Sequence, residues 1–330
     1  MISVVVPARN AAADIGDCVA SVLASRGVAF EAIVADDGSD DGTAAEAALL
    51  PCRVLRLPHR GAATARNAGA DAARGEMLFF TDADCRLAPD TLARAAASLA
   101  ALHPRSLLGG TYAVEPADPS FLARFQAVFI HEAETRGAAP DYVATHALAV
   151  RTAEFRDSGG FDERLALPIL EDVEFSHRLR RAGWRLALDP AVQVRHRFGF
   201  TLGRSLRNAA RKSRHWMRYS LDNGDLLAGS GTASRGLKAA GAAWLLAVAA
   251  AGAAALARSP APLAALPALL AAAALANARL IRLFAASHGR GFAAAATLHY
   301  LLVYPAAVLA GAAAGAADWL AARRARSGAP

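Results

Sequence analysis

Glu76-Met77-Leu78-Phe79-Phe80-Thr81-Asp82-Ala83-Asp84-Cys85 is the stretch on which the fold assignment turns. Met77–Phe80 is a short apolar run with a glycine upstream and a polar cluster downstream, the length and composition of a buried strand. It ends in two carboxylates, Asp82 and Asp84. Side chains one apart on extended backbone face opposite ways, but where a strand gives out and the chain turns, both can reach one ligand just outside the sheet. Hard cations such as Mg2+ take one or two protein carboxylates and complete their shell with water and substrate phosphate, so the pair suits a metal-bound diphosphate. Asp-x-Asp alone equally describes a solvated turn, with Asp90 capping the helix that follows.

The neighbouring segments have the same build. Ile2–Val6 is a β-branched run stopped by Pro7, and Ala32–Ala35 is an apolar run that ends in Asp36 and Asp37. Between them, Ile15, Val19, Val22 and Leu23 fall on one face of a helix over Ile15–Ala24. Strand, helix and strand with polar residues at the strand exits is the βαβ pattern of a parallel sheet. Asp40-Asp41-Gly42-Thr43 reads as a turn and helix start. Arg53–Leu57 is a third short strand. Gly61–Ala73 is a helix of small residues carrying Arg66, whose planar fork suits a base carbonyl or a diphosphate. Helices are expected over Thr91–Leu102, over Phe121–Glu134 with His131, Glu132 and Glu134 near its end, and over Glu171–Ala182 with Gly183 as its cap. Acids in the first turn of that last helix and arginines in its last turn suit the macrodipole. Leu186–Leu188 and Val192–Val194 read as short strands ahead of Arg195-His196-Arg197.

Val4-Val5-Val6-Pro7-Ala8-Arg9-Asn10, Asp36-Asp37-Gly38-Ser39-Asp40-Asp41-Gly42-Thr43, Ala65-Arg66-Asn67-Ala68-Gly69, Thr81-Asp82-Ala83-Asp84 and Gly160-Phe161-Asp162-Glu163 through Glu171-Asp172 stand in sequence. In order and spacing these motifs resemble the family 2 glycosyltransferases, over residues 1–200. The resemblance implies the α/β GT-A fold, a mostly parallel sheet flanked by helices. It implies transfer of a sugar from a nucleotide-diphosphate sugar, UDP-linked by default, with inversion and with Mg2+ or Mn2+ as cofactor. It places Pro7, Ala8 and Arg9 along the base, gives Asp37 the base ring nitrogen, and turns Arg66 toward the nucleotide. Asp82 falls on the ribose or metal side, Asp84 on the metal, and His196 completes the metal or diphosphate site. Asp172 becomes the general base, with Glu171 beside it toward the acceptor. Tyr142–Arg151 becomes the strand ahead of the acceptor site, with Thr145 and His146 as candidate contacts. Two rivals fit less well. A sugar nucleotidyltransferase would carry a glycine-rich loop with a basic residue where Pro7-Ala8-Arg9-Asn10 stands, and an inactive nucleotide-sugar-binding scaffold has no need of Asp82, Asp84 and Asp172.

Hydrophobic content of 55% is high for a wholly soluble protein, and the excess lies beyond Leu237. Net charge is +7, and between Arg195 and Arg218 eight Arg or Lys residues occur without an acid. Leu202, Leu206, Ala209, Ala210, Trp216, Met217 and Leu221 recur through that run, the pattern of a basic amphipathic helix on an anionic leaflet. Leu237–Ala257, Pro262–Ala278 and Phe292–Leu320 are apolar stretches read as transmembrane helices. The expected division is a catalytic domain at 1–200, a basic interfacial segment at 201–235 and a transmembrane region at 236–330. With no signal-peptide pattern at the start, the catalytic domain is expected on the cytoplasmic side of a multi-pass inner-membrane protein, acting on a lipid-linked or glycan acceptor. Arg279, Arg282 and Arg290, and then Arg323, Arg324 and Arg326, also favour the cytoplasmic side. Three full spans would put the last cluster outside, so either the third stretch is a hairpin bent at Pro305 or the charge rule fails at the tail. No nucleic-acid-binding signature accompanies the basic run. Gly231 to Gly236 leads into Leu237 rather than the Lys-Ser/Thr of a P-loop. Cys18, Cys52 and Cys85 show no spacing of a disulfide framework or zinc site.

Overall fold

The apolar runs that end in polar residues become β1 (Ile2–Ala8), β2 (Phe30–Asp37), β3 (Arg53–Leu57) and β4 (Met77–Phe80), all parallel and ordered β3-β2-β1-β4. α1 (Ile15–Leu23), α2 (Thr43–Ala48) and α3 (Ala62–Asp71) connect them. β1 and β4 and most of β2 are buried on both faces, which is why they read as continuous rather than alternating hydrophobic runs, whereas the edge strand β3 is only partly buried. The computed structural model describes residues 1–137, 139–165, 170–226 and 229–327. Met1–Gly199 forms one unit and Phe200–Pro330 a second.

The first unit continues through β5 (Cys85–Leu87), α4 (Thr91–Ala100), β6 (Ser106–Tyr112), α5 (Phe121–Glu134), a 3-10 turn at Thr145–Ala147, β7 (Leu148–Arg151), α6 (Thr152–Asp157), α7 (Glu171–Arg181) and β8 (Arg185–His196). The full order is β3-β2-β1-β4-β7-β6-β8-β5. β7 is antiparallel to β4 and β6, β5 is antiparallel to β8, and β6 and β8 are parallel, so the sheet is mixed. Phe80, Phe155, Phe161 and Phe175 pack ring on ring behind the carboxyl end of β4, with centroids 4.5 Å apart for Phe161 and Phe175.

Several expectations change. β8 is one strand rather than two: its register against β6 shifts between Gly109 and Thr111, and Pro190, which has no N–H to donate, sits in the unpaired stretch. The strand expected over Tyr142–Arg151 pairs with β4 only from Leu148 onward, and the chain before it coils into the 3-10 turn that carries His146. Asp90 stands at the start of α4, but its carboxylate binds Arg94 Nε at 2.6 Å rather than a backbone amide. In the expected loop at 164–170, residues 166–169 lie outside the described residues.

The second unit consists of α8 (Leu202–Asn223), α9 (Arg235–Ala257), a 3-10 turn at Ala261–Ala265, α10 (Leu266–Ala276), α11 (Ala278–Leu298), a π turn at His299–Val303 and α12 (Tyr304–Ser327). Two stretches, Arg235–Ala257 and Ala278–Ala325, are long and apolar enough to cross a membrane by length and composition. Pro262–Ala278 is instead divided between the 3-10 turn and an 11-residue helix. No hairpin forms at Pro305: the π turn at His299–Val303 runs directly into α12, and its wider hydrogen-bond spacing accommodates the proline without reversing the chain.

α8 is not a segment apart from the helices that follow it. It runs parallel to α12, and the two backbones meet where a Cβ on Gly311 would lie 2.1 Å from Ala210 O and one on Gly315 would lie 2.3 Å from Arg214 O. Arg214 forks onto Asp318 at 2.5 and 2.9 Å, and Trp319 Nε1 donates to Asp222 at 2.8 Å. Gly311→Leu is expected to push the helices apart and destabilise this unit by about 1–3 kcal/mol, read as a lower melting temperature in detergent.

Candidate active site

Three parallel strands deliver polar residues to the same rim of the sheet: Pro7-Ala8-Arg9 from β1, Asp36-Asp37 from β2 and Thr81-Asp82 from β4. β1 lies between β2 and β4, so the chain leaves it to one side and returns on the other. That is the switch point at which a crevice opens outside the carboxyl ends of a parallel sheet. Asp37 is 5% exposed and holds the loop after β3. It accepts from Arg60 N at 2.8 Å, from Gly61 N at 3.1 and 3.0 Å, and pairs with His59 Nδ1 at 2.8 Å. Arg9 reaches the other ring nitrogen of His59, so β1 and this loop are joined over the Asp37 carboxylate.

Arg66 is the hub of the site. α3 can carry it there because Gly69 lets the helix settle on β1: a Cβ at 69 would lie 2.3 Å from Val5 Cγ1. The guanidinium is buried, donates to Asp82 Oδ1 at 2.8 Å and to Glu171 Oε1 at 2.7 Å, and lies 5.8 Å from the Phe161 ring. One fork thus grips a carboxylate from β4 and another from the first turn of α7, residues 82 and 171 in a chain of 330. Asn67, on the same helix, clamps the Gly160-Phe161-Asp162-Glu163 turn, donating to Phe161 O and accepting from Phe161 N, each at 2.9 Å. Asp172 follows Glu171. Burial pushes its carboxyl up first and the Glu171 charge adds to this, Arg66 pulls the other way, and the balance lies at about 7.

Asp84 faces His196, with Oδ2 and Nε2 3.2 Å apart. Burial pushes the Asp84 carboxyl up and the imidazole more than offsets this, leaving it below the ordinary carboxylate value. Donor atoms of Asp84, Cys85 and His196 lie within 4.8 Å of one another, an arrangement able to hold a metal ion. Burial raises the Cys85 thiol well above its usual range, so a hard cation is better served by the carboxylate and the imidazole. Nδ1 of His196 is buried without a hydrogen-bond partner among the described residues. The His196 ring is held between Phe198, centroid 4.2 Å away, and Tyr112, 5.0 Å away. Tyr112 stacks in turn on His146 at 4.0 Å, and His146 meets Glu134 at 3.5 Å, itself fixed by the Thr111 hydroxyl at 2.7 Å. Burial disfavours a charged His146 and the Glu134 carboxylate outweighs that, so its ring lies above the ordinary imidazole value.

His146 is within electrostatic reach of Asp82, Asp84 and Asp172. Together with the Arg66 fork, this brings the carboxylates that follow β4 and those that open α7 close to one another at the rim of the sheet. Carboxylates gathered around one guanidinium at the mouth of such a sheet, beside a carboxyl whose proton comes off near neutrality, can hold a cation on one side and accept a proton on the other. The model for "Glycosyl transferase family 2" matches residues 3–148, and that for "Glycosyl transferase family group 2" matches residues 78–309, well over half of the chain. The chain is a family 2 glycosyltransferase.

Its relatives agree. A succinoglycan biosynthesis protein, ExoO, of Rhizobium meliloti is 41% identical over 97 residues, 28% of this chain and 28% of that protein. The pre-mycofactocin glycosyltransferase of Mycobacterium tuberculosis is 31% identical over 214 residues, 59% of this chain and 42% of that one. The glycosyltransferase therefore spans less than half of the length of these two relatives. Among solved structures, a mannosyltransferase from Pyrobaculum calidifontis in complex with GDP-Man and Mn2+ superposes with a TM-score of 0.58 at 20% identity, covering 96% of this chain and 87% of that one. The similarity establishes the GT-A fold.

Sequence reasoning passed over His59, Asn67, Tyr112 and Thr111. Asn67 stands beside Arg66 in a quoted motif, and His59-Arg60-Gly61 directly follows a strand that ends at the same rim, so both had a signal. Tyr112 had none, because it ends a strand that the glycine pair Gly109-Gly110 disguised. Near the end of α5, His131 Nδ1 meets Tyr112 O and Glu132 binds Arg136, while Glu134 turns into the site. Thr145 is buried in the 3-10 turn.

Proposed function

We propose that this glycosyltransferase moves a sugar from a nucleotide-diphosphate sugar to an acceptor hydroxyl, with inversion at the anomeric carbon. The observation that carries the reading is the Arg66 fork, which joins the carboxylate side that suits a donor diphosphate to the helix start that bears Asp172. Asp172 accepts the proton of the attacking hydroxyl, and its position next to Glu171, in a recessed site, keeps it basic enough to do so near neutral pH. Glu171, fixed by Arg66, lines the acceptor side. Pro7, Ala8 and Arg9 line the base. Asp37 reaches the base ring nitrogen by exchanging one of its contacts with the loop at 59–61. Asp82, held by Arg66, meets the ribose or the cation.

Asp84 and His196 would hold the divalent cation, Mg2+ or Mn2+, with Asp82 at its edge. The donor pair of Asp84 Oδ2 and His196 Nε2, 3.2 Å apart, fits such an ion. Once bound, it supplies positive charge against the diphosphate as that group leaves. A UDP-linked donor is the first choice, and GDP-mannose belongs in the same panel because the Pyrobaculum neighbour holds it. The second unit attaches the enzyme to a membrane through its apolar helices, with the basic face of α8 toward anionic lipid and the catalytic unit on the cytoplasmic side. Such a position favours a lipid-linked or glycan acceptor.

The test is release of nucleoside diphosphate by the full chain in membranes, across a donor panel, with and without EDTA. Release that EDTA abolishes and Mn2+ restores is expected, whereas absence of release with every donor would point to a binding scaffold. The pH profile follows from Asp172: only its ionised form accepts a proton, so kcat/KM is expected to rise about tenfold per pH unit up to about pH 7 and to level off above it. A profile flat between pH 5 and 8 would remove Asp172 from the role.

A further inference from the structure

We propose that the second unit crosses the bilayer only twice, as a hairpin of α9 and the segment 261–276, and that α11 and α12 lie with α8 along the cytoplasmic headgroup layer. The inference rests on the membrane attachment proposed above and concerns what that attachment looks like.

The two legs are antiparallel. Asn277, at the foot of α10, donates to Gly236 O at the start of α9, at 3.0 Å, and Ala273, Leu270 and Leu269 share a crevice with Ala240, Trp244 and Ala247. α9 has 23 residues, about 34 Å of helix, and the return leg of 3-10 turn plus helix is about 26 Å, against a hydrocarbon core of about 30 Å. Leu245, Leu246, Val248, Leu256, Leu270 and Leu275 are exposed on these legs, as lipid-facing residues would be. From Ala239 to Ala278 the sole charge is Arg258, at the turn, whereas Arg235 and Lys238 precede the first leg and Arg279 and Arg282 follow the second. The neck is therefore the cytoplasmic end.

The chain returns to that half of the hairpin at the π turn, where Trp244 Nε1 donates to Leu302 O at 2.9 Å and Leu301 and Leu302 line the same crevice. Tyr300 donates its hydroxyl to Asn277 Oδ1 at 3.0 Å, inside a buried network in which Asn277 Nδ2 also donates to Ala273 O. From Asn277 to Tyr300 the chain starts and ends beside the neck and is broken at Gly289, where φ is +84°. From Tyr300 to Gly311 is about 17 Å of helix, too short for a crossing. From Gly311 onward α12 lies backbone to backbone on α8, whose Arg204, Arg207, Arg211 and Arg218 belong among lipid headgroups and water rather than in hydrocarbon. Although Ala278–Ala325 is long and apolar enough by composition, its break at Gly289, its tie to Asn277 at Tyr300 and its packing on α8 from Gly311 leave it no third crossing. The arginines at 204–218, 279–290 and 323–324 then all face the same compartment, and the clash that three spans create with the charge rule does not arise.

The test uses the full chain carrying Cys52→Ser, which removes the one partly exposed native thiol, with Ser259→Cys or Ala322→Cys added singly. Right-side-out and inverted vesicles are treated with a membrane-impermeant maleimide. Expected is labelling of Ser259→Cys only in right-side-out vesicles and of Ala322→Cys only in inverted ones. Labelling of Ala322→Cys from the outer side would mean that α12 crosses, and failure of Ser259→Cys to label from the outer side would mean that the hairpin does not; either overturns the proposal. Release of the chain from membranes by alkaline carbonate would overturn the membrane attachment itself, before any label is read.

Discussion

Asp172→Asn is expected to lower the rate of sugar transfer by about 10²–10⁴-fold while leaving donor affinity close to unchanged. The amide keeps the shape of the carboxyl and can still accept from Val173 N–H, a contact of 2.8 Å, so the start of α7 stays as it is. What it lacks is a lone pair basic enough to take the acceptor proton. Stability should move the other way. A carboxyl whose folded value is raised to about 7 resists ionisation in the fold, so it destabilises the folded state increasingly from its ordinary value near 3.8 up to about 7, and fully above that. The asparagine variant should therefore melt at the same temperature as the parent or higher at pH 8, and should gain least at pH 4. Loss of transfer together with a lower melting temperature at pH 8 would instead mark Asp172 as a structural residue.

Arg66→Met is expected to be the most damaging single change in the catalytic unit. The methionine fills much of the volume but leaves Asp82 and Glu171 facing each other without a cation. Breaking a buried ion pair by removing one partner costs about 3–5 kcal/mol, and the lower end applies here because Asp82 is 31% exposed and water can screen it. A drop in melting temperature of several degrees is the readout. Any enzyme that remains folded should show a second effect. Arg66 is the charge that pulls Asp172 down, so without it the acidic limb of the pH profile should move to higher pH. Arg66→Lys should keep more stability but cannot span both carboxylates with a rigid fork. A variant with unaltered melting temperature and pH limb would mean that the fork is not what holds the two halves of the crevice.

Much of this site could be read before any coordinates, for a physical reason. Strands buried on both faces must be continuous apolar runs, and the polar residues that end them are forced onto the sheet's rim, so Pro7, Asp37 and Asp82 announce themselves by position. Asp172 was legible through its motif, since its macrodipole explanation was complete without chemistry. What escaped depends on the folded surroundings of a residue rather than on its neighbours in sequence. β6 contains Gly109-Gly110 and little alternation, so it looks like a loop, yet all of it is buried. Asp189-Pro190 looks like a turn, yet the strand passes through it with a shift of register. His146 looks like a lone histidine and becomes informative only when Tyr112 stacks on it and Glu134 turns toward it. In the second unit, length and apolarity located the helices, but how they pack depends on Asn277, Gly311 and Gly315, residues whose partners are distant in sequence.

The shared guanidinium also bears on how this enzyme can diverge. Asp82 and Glu171 draw on a single cation, so losing either one leaves Arg66 matched one to one with the other, whereas losing Arg66 leaves two carboxylates facing each other. Change at these three positions should therefore have a fixed order, with a carboxylate lost before the guanidinium. Libraries randomised at Arg66 alone should return almost only the parental residue, while libraries that vary all three together should recover stably folded, uncharged triplets, even where no activity survives.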